Sequence, residues 1–243
     1  YMEVGGTGQS INRYAVGAWL LLLLVSVAAY APGLSGPFLF DDFAVLGTLG
    51  KYGGVVDWAS FQAYLFGGTA GPTGRPVALL SFLVDGNNRP TEVGPVNRTN
   101  RNIHQLTGSV LAVLTRQILR LLGRDARQAS LIAVLAAGCW LLHPFLVSTT
   151  LYVVQRMAQL ATLFVLAGLA GHLYGRSLAE TRPLHGYAVM TLSMGVFTVL
   201  ATLSKENGDL LPLIVGVLEI TVLAASRLAP LDRRWSALFL VAP

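Results

Sequence analysis

The sequence predicts an all-α polytopic membrane protein, and three observations carry that expectation. Hydrophobic residues make up 53% of the chain and charged residues 12%, whereas an ordinary soluble domain carries about 25% charged residues. Apolar runs near the ~20 residues that a spanning helix needs recur along the chain between short polar corners. The arginines fall mainly in alternate corners, which is the asymmetry that membrane topology imposes. A mean hydropathy of +0.60 agrees with all three.

Taken in order, 2–12 is a short polar lead that cannot form a domain. Tyr14 to Ala31 is free of charge and long enough to span. A basic residue before it and small residues after it also fit a signal peptide, but the chain spans the membrane elsewhere, so an uncleaved first helix is the more economical reading. The segment 32–101 is expected to be a long first outer loop. Connections longer than ~15 residues are usually functional or disordered. Within it, Val55 to Phe66 sets Trp58, Phe61, Tyr64 and Leu65 at helical spacing, the pattern of an amphipathic helix lying in the membrane interface. Gly67 to Gly74 is a flexible turn. Arg75 to Val84 is apolar but too short to span, and Asn87 to Asn102 is polar, with a sequon at Asn97 that reads as accidental.

Further spans are expected at 103–122, 128–142, 157–174, 186–203 and 210–225. Arg116 and Arg120 stand one turn apart at the end of the second, placed to snorkel towards headgroups. The run 235–243 begins a seventh and stops far short of a bilayer's thickness, which suggests the front part of a longer protein.

The formal charge of +5 would suit a nucleic-acid binder if it were clustered, but the basic residues are spread over loops, so the surplus reads as topology and no nucleic-acid partner is expected. One cysteine, Cys139, excludes an internal disulfide and a multi-thiolate metal site. With the amino terminus cytoplasmic, the inner corners hold Arg13, Arg116, Arg120, Arg124, Arg127, Arg176, Arg182, Arg227, Arg233 and Arg234, and the short outer corners hold Arg156 and Lys205. Asp41, Asp42, Arg75, His143, Gln155, Arg156, Lys205, Glu206 and Asn207 then all fall at the outer face.

Adjacent carboxylates and several cations at one membrane surface suit transfer from a lipid phosphate. Cations hold the phosphate, and a carboxylate takes the proton of an incoming hydroxyl. Charge developing on the departing phosphate is stabilised by fixed cations in a dry site. Catalysis of this kind requires Asp41 and Arg156 to share one cavity. Adjacent residues on a loop can exchange roles by a small rotation, so Asp41 and Asp42 remain alternatives for the base.

The ordered set PFLFDDF, GRPVALLSF, HPFLVSTTLYVVQRM and LSKENGDLLP resembles the amino-terminal membrane module of GT-C glycosyltransferases, particularly bacterial relatives of protein O-mannosyltransferases and of the transmembrane/TPR mannosyltransferases. The likeness runs from about Tyr14 to Ala225. It implies a GT-C-like helical bundle in the bacterial inner membrane, with an acidic site in the first outer loop on the periplasmic side. The implied reaction is inverting transfer from a polyprenyl-phosphate sugar to a hydroxyl of a protein or glycan acceptor. By position, Asp41 is the catalytic carboxylate, with Asp42 beside it in substrate or divalent-cation contact. Arg156, Lys205 and Arg75 hold the donor phosphate, and His143, Gln155, Glu206 and Asn207 support them.

Plainer readings exist for each residue. The aspartates can cap a loop helix, and Arg75, in a Gly-Arg-Pro turn, can pair with Asp41 or Asp42. His143 precedes Pro144 and can simply end a helix. Lys205 and Glu206 can form their own surface pair. Arg156 lies near membrane depth without a partner close in sequence. The alternative for the whole protein is a non-catalytic membrane subunit or scaffold, docking a partner protein through its outer loop in assembly with other membrane proteins.

Overall fold

The structure, a computed structural model, describes residues 13–226 apart from Tyr52 and Thr69, together with Leu228, Leu231, Asp232 and Trp235. The polar lead 2–12, Arg227, Arg233 and Arg234 of the topology count, and all of the expected seventh run except Trp235 lie outside the described residues. Regular structure among the described residues is entirely helical.

Apolar runs become helices because a helix satisfies every internal backbone group within the segment, and that is the condition for crossing lipid. Arg13–Gly33, Val153–Ala179 and Pro183–Thr202 are long and apolar enough to cross a membrane. They contain helices α1 (Arg13–Tyr30), α8 (Arg156–Ala179) and α9 (Pro183–Thr202). The expected span 128–142 is a shorter apolar helix, α6 (Ala126–Leu141), started by Asp125, whose carboxylate accepts from the Arg127 and Gln128 N–H groups, and followed by the short α7 (Leu146–Leu151). The expected span 210–225 is α10 (Leu211–Leu218) continued by a π turn over Glu219–Leu223.

The expected span 103–122 lies inside a much longer helix, α5 (Val93–Leu121). Its first turns were expected to be polar loop, and their polar side chains explain both the expectation and the outcome. They point inward: Asn97 Nδ2 donates to Leu34 O at 3.4 Å, and Asn100 Nδ2 to Val153 O at 3.2 Å. Buried polar groups with partners are tolerated where unpartnered ones are costly, so this stretch winds into the bundle instead of leaving it. Asn97 is fully buried.

Three helices lie close together around one face. Gln105 of α5 donates to Leu23 O of α1 at 3.1 Å, and Tyr30 Oη donates to Leu141 O of α6 at 3.4 Å. Trp19 packs at Gly108, and a Cβ at Gly138 would press on Leu22. These contacts set α1 antiparallel to α5 and parallel to α6. Helix α8 packs closely on α9 because small residues let the backbones approach, as they do in membrane bundles. A Cβ on Gly175 would meet Met190 and the Gly186 carbonyl.

The expected outer loop does not stand away from this bundle. It folds into α2 (Asp41–Gly50), α3 (Trp58–Phe66) and α4 (Pro76–Phe82). Leu46, Ala78 and Phe82 pack on Val96, Val153 and Met157 of the bundle. Helix α3 opens with a capping box in which Ser60 N donates to Asp57 Oδ1 at 2.7 Å and Asp57 N donates to Ser60 Oγ at 3.0 Å. Its aromatic stripe divides: Trp58 stays exposed and stacks on Phe61 at 5.4 Å, while Tyr64 turns inward and donates its hydroxyl to Leu79 O at 3.0 Å.

Candidate functional site

The acidic pair begins α2, and the two carboxylates have different surroundings. Asp42 is 1% exposed. Its Oδ2 accepts from Leu39 N at 2.9 Å and its Oδ1 from Val154 N at 2.8 Å, while its own N–H donates to Leu39 O at 2.8 Å. The side chain clasps the turn that starts α2 and ties it to the turn before α8. Burial pushes its carboxyl above the ordinary aspartate range, and the Leu39 and Val154 donors pull the other way. Asp42 therefore has both carboxylate oxygens committed to holding the backbone.

Asp41 is exposed, and its carboxylate has no protein partner among the described residues. Its backbone N–H donates to Tyr152 Oη at 3.1 Å, which fixes the main chain while leaving the side chain available. The residue before it, Phe40, holds φ 32° and ψ −105°. A bulky residue there is strained, and such strain persists only where surrounding bonds enforce it. The Asp42 clasp supplies those bonds.

Asp41 lines a cleft of about 280 Å³ together with Arg75, Thr48, Val154 and Met157. Arg75 sits at the second positive-φ non-glycine among the described residues, φ 54°, just before Pro76 opens α4. Its partner is neither aspartate of the pair. Arg75 Nε donates to Glu206 Oε1 at 3.1 Å, and Nη2 to Glu206 Oε2 at 2.7 Å. That fork holds the Glu206 carboxyl below the ordinary glutamate range, helped by the nearby Lys205 charge. Among the described residues Nη1 meets only the Met157 sulfur, a weak acceptor, at 3.3 Å. Gly71 makes the pairing possible, because a Cβ there would collide with Glu206 Oε1.

Arg156 does not share this cleft. It is fully buried, and Nη1 pairs with Asp85 at 2.6 Å. Nε donates to Asn100 Oδ1 at 2.6 Å, Nη2 to Val96 O at 2.9 Å and Nη1 to Ser81 O at 3.0 Å. The Phe82 ring lies 4.5 Å from its guanidinium carbon. With every N–H group but one assigned and no exposed surface, it cannot reach a donor phosphate; it nails α4 and α5 to the start of α8.

The remaining expected residues stay outside the cleft lining. His143 accepts from Phe145 N at 3.2 Å and closes the turn after α6. Gln155 is half-buried in the turn before α8, and Asn207 is exposed. Lys205 is half-buried, with its charge beside Glu206. Nor do the residues present fit a divalent cation. Asp42 has both oxygens on backbone donors, and no group of three His, Cys, Asp or Glu side chains among the described residues could hold one.

Sequence reasoning missed Asp85, Tyr152 and the cleft walls. It also missed a buried cluster in which Glu219 Oε1 lies 2.9 Å from Arg176 Nε as an ion pair and 2.7 Å from His172 Nε2. The available signal for Asp85 was an acidic residue ending an apolar piece too short to span. For Glu219 it was a carboxylate inside an expected span. Comparison with protein-family models, with curated proteins and with solved structures finds no match.

Proposed function

We propose that the chain is a GT-C type glycosyltransferase of the bacterial inner membrane, moving a sugar from a polyprenyl phosphate to a hydroxyl acceptor on the periplasmic side. The observation that carries this reading is the cleft that joins an unpartnered carboxylate, Asp41, to a half-buried guanidinium, Arg75. Asp41 takes the proton as the acceptor oxygen bonds to the anomeric carbon. The bond from that carbon to the phosphate oxygen breaks, and the polyprenyl phosphate leaves with the electron pair, giving inversion. Arg75 receives the developing charge through Nη1, for which a phosphate oxygen is a far better acceptor than a thioether. Glu206 holds the guanidinium in place. Two strained backbone positions flanking one cleft support the reading, since such strain gathers at sites of action. The expected sharing of one cavity by Asp41 and Arg156 is not met, so the reading rests on Asp41 as the base and on Arg75 alone of the three expected cations, Arg156, Lys205 and Arg75.

The test is sugar transfer by membranes carrying the full chain, supplied with labelled polyprenyl-phosphate sugars, at matched expression. Wild type is expected to transfer label, and Asp41→Asn and Arg75→Ala to abolish transfer. Full activity in Asp41→Asn would sink the assignment, and no consumption of any donor by wild type would leave the scaffold as the better account.

A further inference from the structure

The opposite end of the bundle, where α1 and α6 begin and α5 ends, carries a feature that sugar transfer does not use. A groove of about 360 Å³ runs between these three helices. Its sides include Val16 and Leu20 of α1 and Val113 of α5, exposed at 43%, 55% and 54%. Its floor is made shallow-sided by small residues, Ala112 and Ala133. Arg116 closes it on the polar side. Nε donates to Ser130 Oγ at 3.0 Å, and Ser130 in turn donates to Ala126 O at 2.8 Å, so the guanidinium is anchored from one edge. Its two terminal nitrogens have no protein partner among the described residues. Arg13, Arg120, Arg124 and Arg127 stand at the same end of these helices, while Asp125 is committed to capping α6.

We infer that this groove binds an anionic glycerophospholipid, with an acyl chain along α1 and α5 and the phosphate on the free edge of Arg116. Exposed aliphatic walls suit a lipid chain, because apolar surface is costly to leave in water and no segment among the described residues covers them. An anchored guanidinium presents a planar, bidentate donor to a phosphate. The surrounding arginines add a positive field that favours a lipid of net negative charge over a zwitterionic one.

Trp19 lines the groove and can report on it. The full chain would be prepared with Trp58→Phe, Trp140→Phe and Trp235→Phe, leaving Trp19 as the fluorophore, and titrated in maltoside micelles with phosphatidylglycerol or phosphatidylcholine carrying brominated chains. Phosphatidylglycerol should quench Trp19 at about 5-fold lower mole fraction, the preference that roughly one arginine near a headgroup supplies. Arg116→Gln should erase the preference, Arg116→Lys should retain most of it, and Val113→Phe, which narrows the groove, should weaken quenching by both lipids. Equal quenching by the two lipids, or a preference unchanged in Arg116→Gln, would overturn the proposal. A Gln variant that fails to fold leaves Arg116→Lys and Val113→Phe to decide it: normal quenching in Val113→Phe also overturns the groove as the site.

Discussion

Arg156 and Arg75 lie on neighbouring parts of one chain, and both were expected to hold a phosphate. Arg156 has side-chain exposure 0% and its partner Asp85 7%, whereas Arg75 has 21% and its partner Glu206 31%. The first pair is enclosed by α4, α5 and α8, and beyond Asp85 its guanidinium donates to two backbone carbonyls and to Asn100. The second is held on one edge and faces a cleft on the other. A cation enclosed on every side organises a fold; one with a free edge beside a cavity can meet a ligand. Residue type and membrane depth do not distinguish the two.

The comparison can be broken most severely at the closed pair. Arg156→Ala leaves Asp85 buried without its cation, and removing one partner of a buried pair typically costs about 3–5 kcal/mol. Unfolding of the purified chain in detergent should register that loss, and Asp85→Asn should act in the same direction. A change below about 1 kcal/mol would mean that the pair is not closed in solution.

Asp42→Ala strands the Leu39 and Val154 N–H groups and is expected to cost about 1–3 kcal/mol. It should also lower sugar transfer by displacing Asp41, with Asp42→Asn, which keeps one acceptor oxygen, milder in both respects. Transfer lost without any loss of stability would return Asp42 to the chemistry.

Gly71→Ala forces a side chain into a position with φ +73° and against Glu206, for a cost of about 1 kcal/mol. The signature to look for is pH dependence. Because the Glu206 carboxyl is held below its ordinary range, its pairing contributes stability that is complete at neutral pH and lost as pH falls through that depressed value. Glu206→Gln should flatten that acid limb of the unfolding profile, and Gly71→Ala should partly do so; an unchanged limb in Glu206→Gln would detach the pair from acid sensitivity. Asp42 works the other way: its raised pKa means stability declines as pH rises through the ordinary aspartate range towards the folded value.

The smallest expected effect on stability is at the open side of the comparison. Asp41→Asn touches an exposed, unpartnered carboxylate and should move stability by no more than about 0.5 kcal/mol, while removing sugar transfer. A large destabilisation would mean that Asp41 is part of the scaffold.

The helical character of the chain and its apolar spans at Tyr14 to Ala31, Met157 to Tyr174 and Gly186 to Leu203 were legible in the sequence, since sustained lack of charge is a local property and lipid permits few backbone solutions. The sequence singled out the Asp41–Asp42 segment and Arg75 for the same reason: charge near a bilayer needs a local justification. What only the tertiary structure decided was the division of labour among those charges. Whether Asp42 meets Val154, Arg156 meets Asp85, or Arg75 meets Glu206 depends on contacts between segments far apart in the chain, and neither composition nor periodicity encodes such pairings. The early start of α5 has the same origin. Its polar residues look like loop until Leu34, Val153 and Arg156 are present to receive them, because the cost of burying a polar side chain is set by its partners and not by its own identity.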